Sequence, residues 1–148
     1  MPLKERIQTD VKTAMKSGDK TRLGTLRLIL AAIKQREVDE RIELADADVV
    51  AVLDKMLKQR RESISQYEKG ARQDLADIER AEIDVIQAYL PQPLSEAELT
   101  TLIEDALHQS AAAAIGDMGK VMAILKPLLQ GRADLAAVSK TVRARLGA

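Results

Sequence analysis

The sequence lacks cysteine, phenylalanine and tryptophan, and its only aromatic residues are Tyr67 and Tyr89. Without cysteine there can be no disulfide, no thiolate nucleophile and no cysteine-ligated zinc or iron–sulfur site. The single histidine, His108, cannot form a catalytic triad or a metal site alone. The scarcity of aromatic rings also disfavours recognition of single-stranded nucleic acid by base stacking. We therefore expect no independent catalysis, no cofactor and no metal.

Long apolar runs and an excess of one charge are missing as well. The uncharged stretch at residues 106–116 is far shorter than the roughly 20 residues that span a bilayer. The N-terminal residues carry no apolar segment typical of a secretory signal. The 23 basic and 23 acidic residues cancel, so any attraction to nucleic acid must come from local patches. These features, with the absence of cysteine, predict a soluble cytoplasmic protein that does not bind membranes.

The residues that are present favour helices throughout. Hydrophobic residues make up 46% of the chain, are mostly Leu, Ile, Val, Ala and Met, and recur every three or four positions. Pro91 and Pro93 interrupt this pattern, because proline cannot continue a helix. We predict an all-α protein with an N-terminal four-helix unit over residues 1–90, a linker over 90–94 and a C-terminal three-helix unit over 95–148. Gly18 should end the first helix, Asp19 and Asp134 should cap helices, and Ser95 with Glu98 should form a capping box.

Basic residues repeat every seven positions along the predicted second helix, at Lys20, Arg27, Lys34 and Arg41, and we call these four residues the basic ribbon. At 100° per residue they fall within about 60° of one another over about 30 Å. Cations held in a row suit the phosphates of a nucleic acid. The alternative is a solvated flank paired with Glu37 and its neighbours at helical spacing.

Other basic residues fall into three groups. Lys58 and Arg61 point away from the apolar face of the predicted third helix, so they are free to meet phosphate. Near the C-terminus, Lys120, Lys126 and Arg132 form a further candidate set for nucleic acid. Arg60 instead projects onto the apolar face of its helix, where an unpaired charge would cost several kcal/mol. Folding the third and fourth helices antiparallel about Gly70 puts Arg60 opposite Glu79, with Glu82 nearby, which predicts a structural ion pair.

Several segments resemble the YqeY family. They are residues 26–34 followed by Glu37-Val38-Asp39, residues 58–63, residues 89–91, residues 118–122 and residues 131–134. The family is similar to the C-terminal tail of the B subunit of the tRNA-dependent amidotransferase, where the tail helps to hold tRNA and other domains carry the chemistry. Pro93 stands where the family often has glutamine. The resemblance implies a two-part helical fold and a role that involves tRNA.

Three functions follow from these observations. The first is an accessory protein that binds tRNA or another structured RNA through the basic residues named above. The second is an adaptor that docks a protein partner and binds no nucleic acid. The third, implied by the resemblance, is a component linked to glutamine-dependent amidotransferase (carbon–nitrogen ligase) activity. RNA binding should weaken steeply as salt rises, whereas an adaptor should depend little on salt.

Overall fold

The computed structural model describes residues 1–147, and its regular structure is entirely helical over that range. Seven α-helices follow one another, with a short 3₁₀ turn at Ile115–Asp117 before the sixth. The prediction of an all-α fold with four helices followed by three is confirmed. The helices are α1 (Leu3–Ser17), α2 (Lys20–Glu40), α3 (Asp46–Lys69), α4 (Gln73–Gln87), α5 (Glu96–Gln109), α6 (Met118–Leu129) and α7 (Leu135–Arg145).

The chain forms two compact units, Met1–Pro91 and Gln92–Ala148. In the first unit, aliphatic side chains of α1 to α4 meet in one core. Ile7 of α1, Leu26, Ile29 and Ile33 of α2, Leu53 of α3 and Ile86 of α4 are almost completely buried. Burial of such side chains contributes roughly 1.5–3 kcal/mol each to the stability of this core.

Local signals set the boundaries of α1 and α2. Gly18 adopts the left-handed conformation at φ 75°, which ends α1 and which only glycine adopts without strain. The Asp19 carboxylate then accepts the backbone N–H of Arg22 at 3.1 Å and caps α2. At its other end α2 terminates at Arg41, whose φ of 55° is also left-handed. The predicted end of α1 and the predicted cap of α2 are both confirmed.

Helices α3 and α4 form an antiparallel hairpin whose connection sets its register. The connecting residues are 70–72, and Ala71 at their centre has a left-handed φ of 57°. Residues at equal distances from Ala71 therefore face each other, which places Arg60 opposite Glu82. A pivot at Gly70 predicts Arg60 opposite Glu79 with Glu82 nearby, so the observed register differs by about one helical turn.

The second unit contains α5, α6 and α7 around a smaller core. Val121, Leu125, Leu129, Val138 and Val142 are almost completely buried. The capping box at Ser95 and Glu98 is confirmed, with the Ser95 hydroxyl accepting the Glu98 N–H at 3.1 Å and the Glu98 carboxylate accepting the Ser95 N–H at 3.2 Å. Asp134 caps α7 by accepting the N–H of Ala136 at 3.0 Å, as predicted.

Candidate functional site

The basic ribbon lies on the exposed side of α2, opposite the side that enters the core. Lys20, Arg27 and Lys34 lie on the helix and Arg41 is the residue at its C-terminal cap, and all four are exposed. No side chain of these four residues makes a hydrogen bond or an ion pair with any residue of the described range 1–147. The ribbon therefore presents four unneutralised cations over about 31 Å of helix.

The other two basic residues of α2, in contrast, both have acidic partners. Arg36 Nη2 lies 3.5 Å from Asp48, and the Arg36 guanidinium also donates to Glu40. Arg22 Nη2 lies 3.8 Å from Asp10. Folding therefore pairs Arg22 and Arg36 with acidic residues and leaves the cations of the ribbon unpaired.

Glu37, the partner considered for the ribbon, is engaged elsewhere. Its carboxylate accepts the Leu44 N–H at 3.0 Å and two hydrogen bonds from Lys4 Nζ at 2.9 and 3.0 Å. The Leu44 N–H, followed by Lys4, lowers the pKa of Glu37 below its usual range, and the charge of Lys34 adds only a small effect at a distance. Glu37 thus fixes the loop after α2 to α1 and leaves Lys34 without an ion-pair partner.

An apolar strip runs along α2 beside the ribbon, and sequence reasoning missed it. It consists of Gly24, Leu28, Ala31, Val38 and Ile42, all exposed, with 49% of Leu28, 59% of Val38 and 46% of Ile42 accessible to solvent. Val38 and Ile42 line one shallow depression together with the ribbon's Lys34 and Arg41. The available signal was that α2 has apolar residues on two faces, of which only one can enter the core.

The remaining candidate cations are dispersed, and some of them are engaged. On α3, Lys58 is exposed and Arg61 is half-buried, and neither has an ion-pair partner in the described range. In the second unit Lys126 is likewise exposed and unpaired, whereas Lys120 Nζ lies 3.7 Å from Asp117. Arg132 Nε donates to the Gln92 carbonyl oxygen at 3.2 Å, so this side chain fixes the start of its own unit.

Arg60 forms an ion pair between α3 and α4. Its Nε and Nη2 atoms each lie 2.8 Å from Glu82 Oε2, and the two side chains are only 13% and 19% exposed. The Glu79 side chain makes no hydrogen bond or ion pair within residues 1–147. Burial, then the charge of Glu82, raises the pKa of Glu79, and the charge of Arg60 opposes that rise. Arg60 is thus a structural residue of the hairpin in this geometry.

Other classes of site are not visible over the described range. Residues 1–147 contain no group of three or more histidine, cysteine or acidic side chains positioned to hold a metal ion. Among the helices of that range, none combines the length and hydrophobicity that crossing a membrane requires.

The fold and this surface together define the class of protein: a two-part, all-helical protein with an exposed basic helix. A family model described as "Yqey-like protein" matches residues 4–146, nearly the whole chain. The chain belongs to the YqeY family, and the resemblance found in the sequence is confirmed.

Fungal proteins named "Altered inheritance of mitochondria protein 41, mitochondrial" are similar to this chain. The protein of Pyrenophora tritici-repentis is 32% identical over 149 aligned positions, which cover 97% of this chain and 80% of that protein. The protein of Eremothecium gossypii is 38% identical, with 70% of this chain and 58% of that protein covered. The protein of Lachancea thermotolerans is 37% identical, with 70% and 57% covered. The match thus spans somewhat more than half the length of the latter two relatives.

The names of these relatives contradict the expectation of a cytoplasmic protein, because each relative is described as mitochondrial. The expectation was wrong for a physical reason. A cysteine-free helical protein with balanced charge suits any aqueous compartment, so its composition does not distinguish one compartment from another.

Proposed function

We propose that this protein is an accessory module that binds structured RNA, with tRNA as the first candidate, through the basic ribbon. The observation that carries the proposal is that the exposed side chains of Lys20, Arg27, Lys34 and Arg41 have no partner within residues 1–147, although the other two basic residues of α2 have acidic partners. A row of unpaired cations on a rigid helix can displace counterions from phosphates at little cost in side-chain rearrangement.

The form of recognition follows from the residues that the chain has. With Tyr89 buried and Tyr67 half-buried, no aromatic side chain is freely exposed for stacking on an unpaired base. Recognition would therefore use the phosphate backbone and the shape of a folded RNA. The resemblance to the tail of the amidotransferase B subunit supports tRNA as the RNA to test first, and a link to amidotransferase activity belongs to the same proposal.

The test is a filter-binding titration of total tRNA at several salt concentrations, with the Arg27→Gln/Lys34→Gln variant beside the unmodified protein. Glutamine has nearly the helix propensity of arginine and lysine, so α2 should persist. Because each lost phosphate contact removes about one unit from the salt slope, the slope should fall by about two units. Affinity should fall for all RNA sequences alike.

The matched control is Lys12→Gln/Lys69→Gln, which changes the net charge equally at two exposed residues outside the ribbon. It should keep most of the affinity and of the slope, and circular dichroism should show that both variants are folded. Equal losses in both variants, or an unchanged slope in Arg27→Gln/Lys34→Gln, would reject the ribbon as the RNA-binding surface.

A second candidate function, a protein adaptor, is favoured by a separate observation. RNA phosphates would contact the cations of α2. Contact with phosphates does not account for the half-exposed apolar side chains of Leu28, Val38 and Ile42 beside those cations. Apolar side chains that stay exposed next to charged ones are typical of a surface that docks another protein.

A further inference from the structure

The apolar strip and the basic ribbon of α2 share one repeat. Gly24, Leu28, Ala31, Gln35 and Val38 follow one another at alternating spacings of four and three residues, and all five are exposed. This is the spacing of the a and d positions of a heptad, which form the seam of a coiled coil. Ile42 continues the numbering just beyond the end of α2 and lines the same depression as Val38.

In that heptad every ribbon cation occupies the same position. With Leu28 at a and Ala31 at d, the residues Lys20, Arg27, Lys34 and Arg41 all fall at g, which directly flanks the seam. In coiled coils, charges at g choose the partner and its orientation by pairing with charges on the facing helix. The e positions on the other flank are Thr25, Ala32 and Asp39, of which Thr25 is buried and Ala32 half-buried. Charge selection on this seam therefore comes from one basic flank.

We propose that the α2 seam docks a single amphipathic helix of a partner protein, with apolar residues at its a and d positions and acidic residues opposite the basic ribbon. This proposal rests on the adaptor function named above. It specifies the chemistry of the partner: an acidic helix of at least about 15 residues, the length of the seam from Gly24 to Val38.

A second copy of this chain does not fit the seam. Two antiparallel α2 helices would bring g positions face to face, which would set arginine and lysine against arginine and lysine. Two parallel α2 helices would point the g cations at the e positions, where Asp39 is the sole acidic group. The like charges would repel each other in the antiparallel pair, and Asp39 would leave most ribbon cations unpaired in the parallel pair, so a different, acidic sequence fits the seam better.

Gly24 supports the docking of a helix independently of charge. It lies in the interior of the first half of α2, where glycine costs about 0.8–1 kcal/mol relative to alanine. A Cβ atom built on Gly24 meets no heavy atom within 4 Å, so nothing inside the protein requires glycine there. A partner helix that lies close to the backbone at Gly24 and Ala31 would use the space that these small side chains leave.

The test uses a designed 21-residue peptide with leucine and isoleucine at a and d and glutamate at e and g. Its own glutamates keep it from pairing with itself near neutral pH. The control peptide has lysine at every e and g position. Fluorescence anisotropy of the labelled peptides measures binding to the full chain at low and at high salt. The glutamate peptide should bind at least about tenfold more tightly than the lysine peptide.

Variants of the full chain show where on the protein the peptide binds. Leu28→Gln/Val38→Gln should weaken the glutamate peptide at least about tenfold and leave the affinity for tRNA unchanged. Arg27→Gln/Lys34→Gln should weaken the peptide and reduce its salt dependence. Ile78→Gln is the matched control, since Ile78 lies on α4 and is 56% exposed, and this variant should bind the peptide normally.

Three results would overturn the proposal. If neither peptide binds, both the adaptor function and the acidic partner are rejected, and the RNA proposal is unaffected. If both peptides bind equally and Leu28→Gln/Val38→Gln abolishes binding, the adaptor function stands but the acidic partner is wrong. If vesicles of anionic phospholipid bind through Leu28 and Val38 and the glutamate peptide does not, the strip is a membrane-binding surface and the helix-docking proposal fails.

Discussion

Single residues on α2 decide which part of the helix serves folding and which part stays free. Ile29 and Ile33 point into the core, whereas their chain neighbours Leu28 and Lys34 remain exposed. Glu37 is held by Lys4 and by the Leu44 N–H, so it anchors the end of α2 without neutralising Lys34. The stability of α2 and its capacity to bind a ligand therefore depend on different side chains.

Gly24→Ala should raise the free energy of unfolding by about 0.5–1 kcal/mol. Glycine loses more backbone entropy than alanine in a helix, and the added methyl group has open space around it. Urea unfolding followed by circular dichroism measures the change. Gly18→Ala is the contrasting variant and should destabilise the protein, because Gly18 has φ 75°. A destabilised Gly24→Ala variant would show that the environment of α2 is more crowded than the structure indicates.

At the scale of the element, sequence predicted local features well. Gly18, Asp19 and the Ser95–Glu98 capping box act through residues within four positions, so their effect is visible in the chain itself. The register of the α3–α4 hairpin was misjudged by one helical turn, because it depends on which residue forms the centre of the connection. That residue is Ala71, and no local sequence pattern predicts its left-handed conformation.

The surface of α2 was predictable only in part for a similar reason. The seven-residue spacing of the ribbon is local, and the structure places all four cations on the exposed side of α2. Whether they keep free charges depends on where distant acids lie, and Asp48 and Asp10 meet Arg36 and Arg22 only in the folded protein. The apolar strip could not be separated from the core stripe without knowing which face of α2 packs.

Arg60→Met should test the hairpin by removing the charge and keeping most of the aliphatic stem. We expect the free energy of unfolding at pH 7 to fall by about 1.5–3 kcal/mol, the usual contribution of hydrogen bonds to charged groups. Arg80→Met is the matched control on the same hairpin. Arg80 pairs with Glu68 and Asp77, but these side chains are about half-exposed, so its loss should cost less than about 1 kcal/mol.

The loss of unfolding free energy caused by Arg60→Met should also depend on pH. Burial and the charge of Glu82 raise the pKa of Glu79, and Arg60 opposes this, so the rise grows when Arg60 is absent. A carboxyl whose pKa is raised by folding favours the folded state below its unfolded pKa, and this contribution is lost as pH rises through the folded pKa. The loss of unfolding free energy should therefore be smaller at pH 5 than at pH 7. Urea unfolding at both pH values measures it, and a deficit that grows toward pH 5 would contradict the placement of Glu79 and Glu82.

At the scale of the whole molecule, the total charge is balanced but the charges are distributed unevenly over the surface. The chain carries 23 basic and 23 acidic residues, so there is no overall attraction to nucleic acid. Ion pairs between elements occupy many of these charges, as Lys4 with Glu37 and Arg145 with Glu104 show. The first unit also presents α2 with a basic ribbon and an apolar strip, and the proposed functions depend on that surface.

The unpaired cations of α2 are the proposed RNA-binding surface of this protein. A titration of the ¹⁵N-labelled full chain with a folded tRNA at low salt, followed by amide chemical shifts, tests this surface directly. The perturbed amides should cluster on the exposed side of residues 20–42, and the changes should reverse when salt is added. Perturbations that avoid α2, or an unchanged spectrum at saturating tRNA, would contradict it.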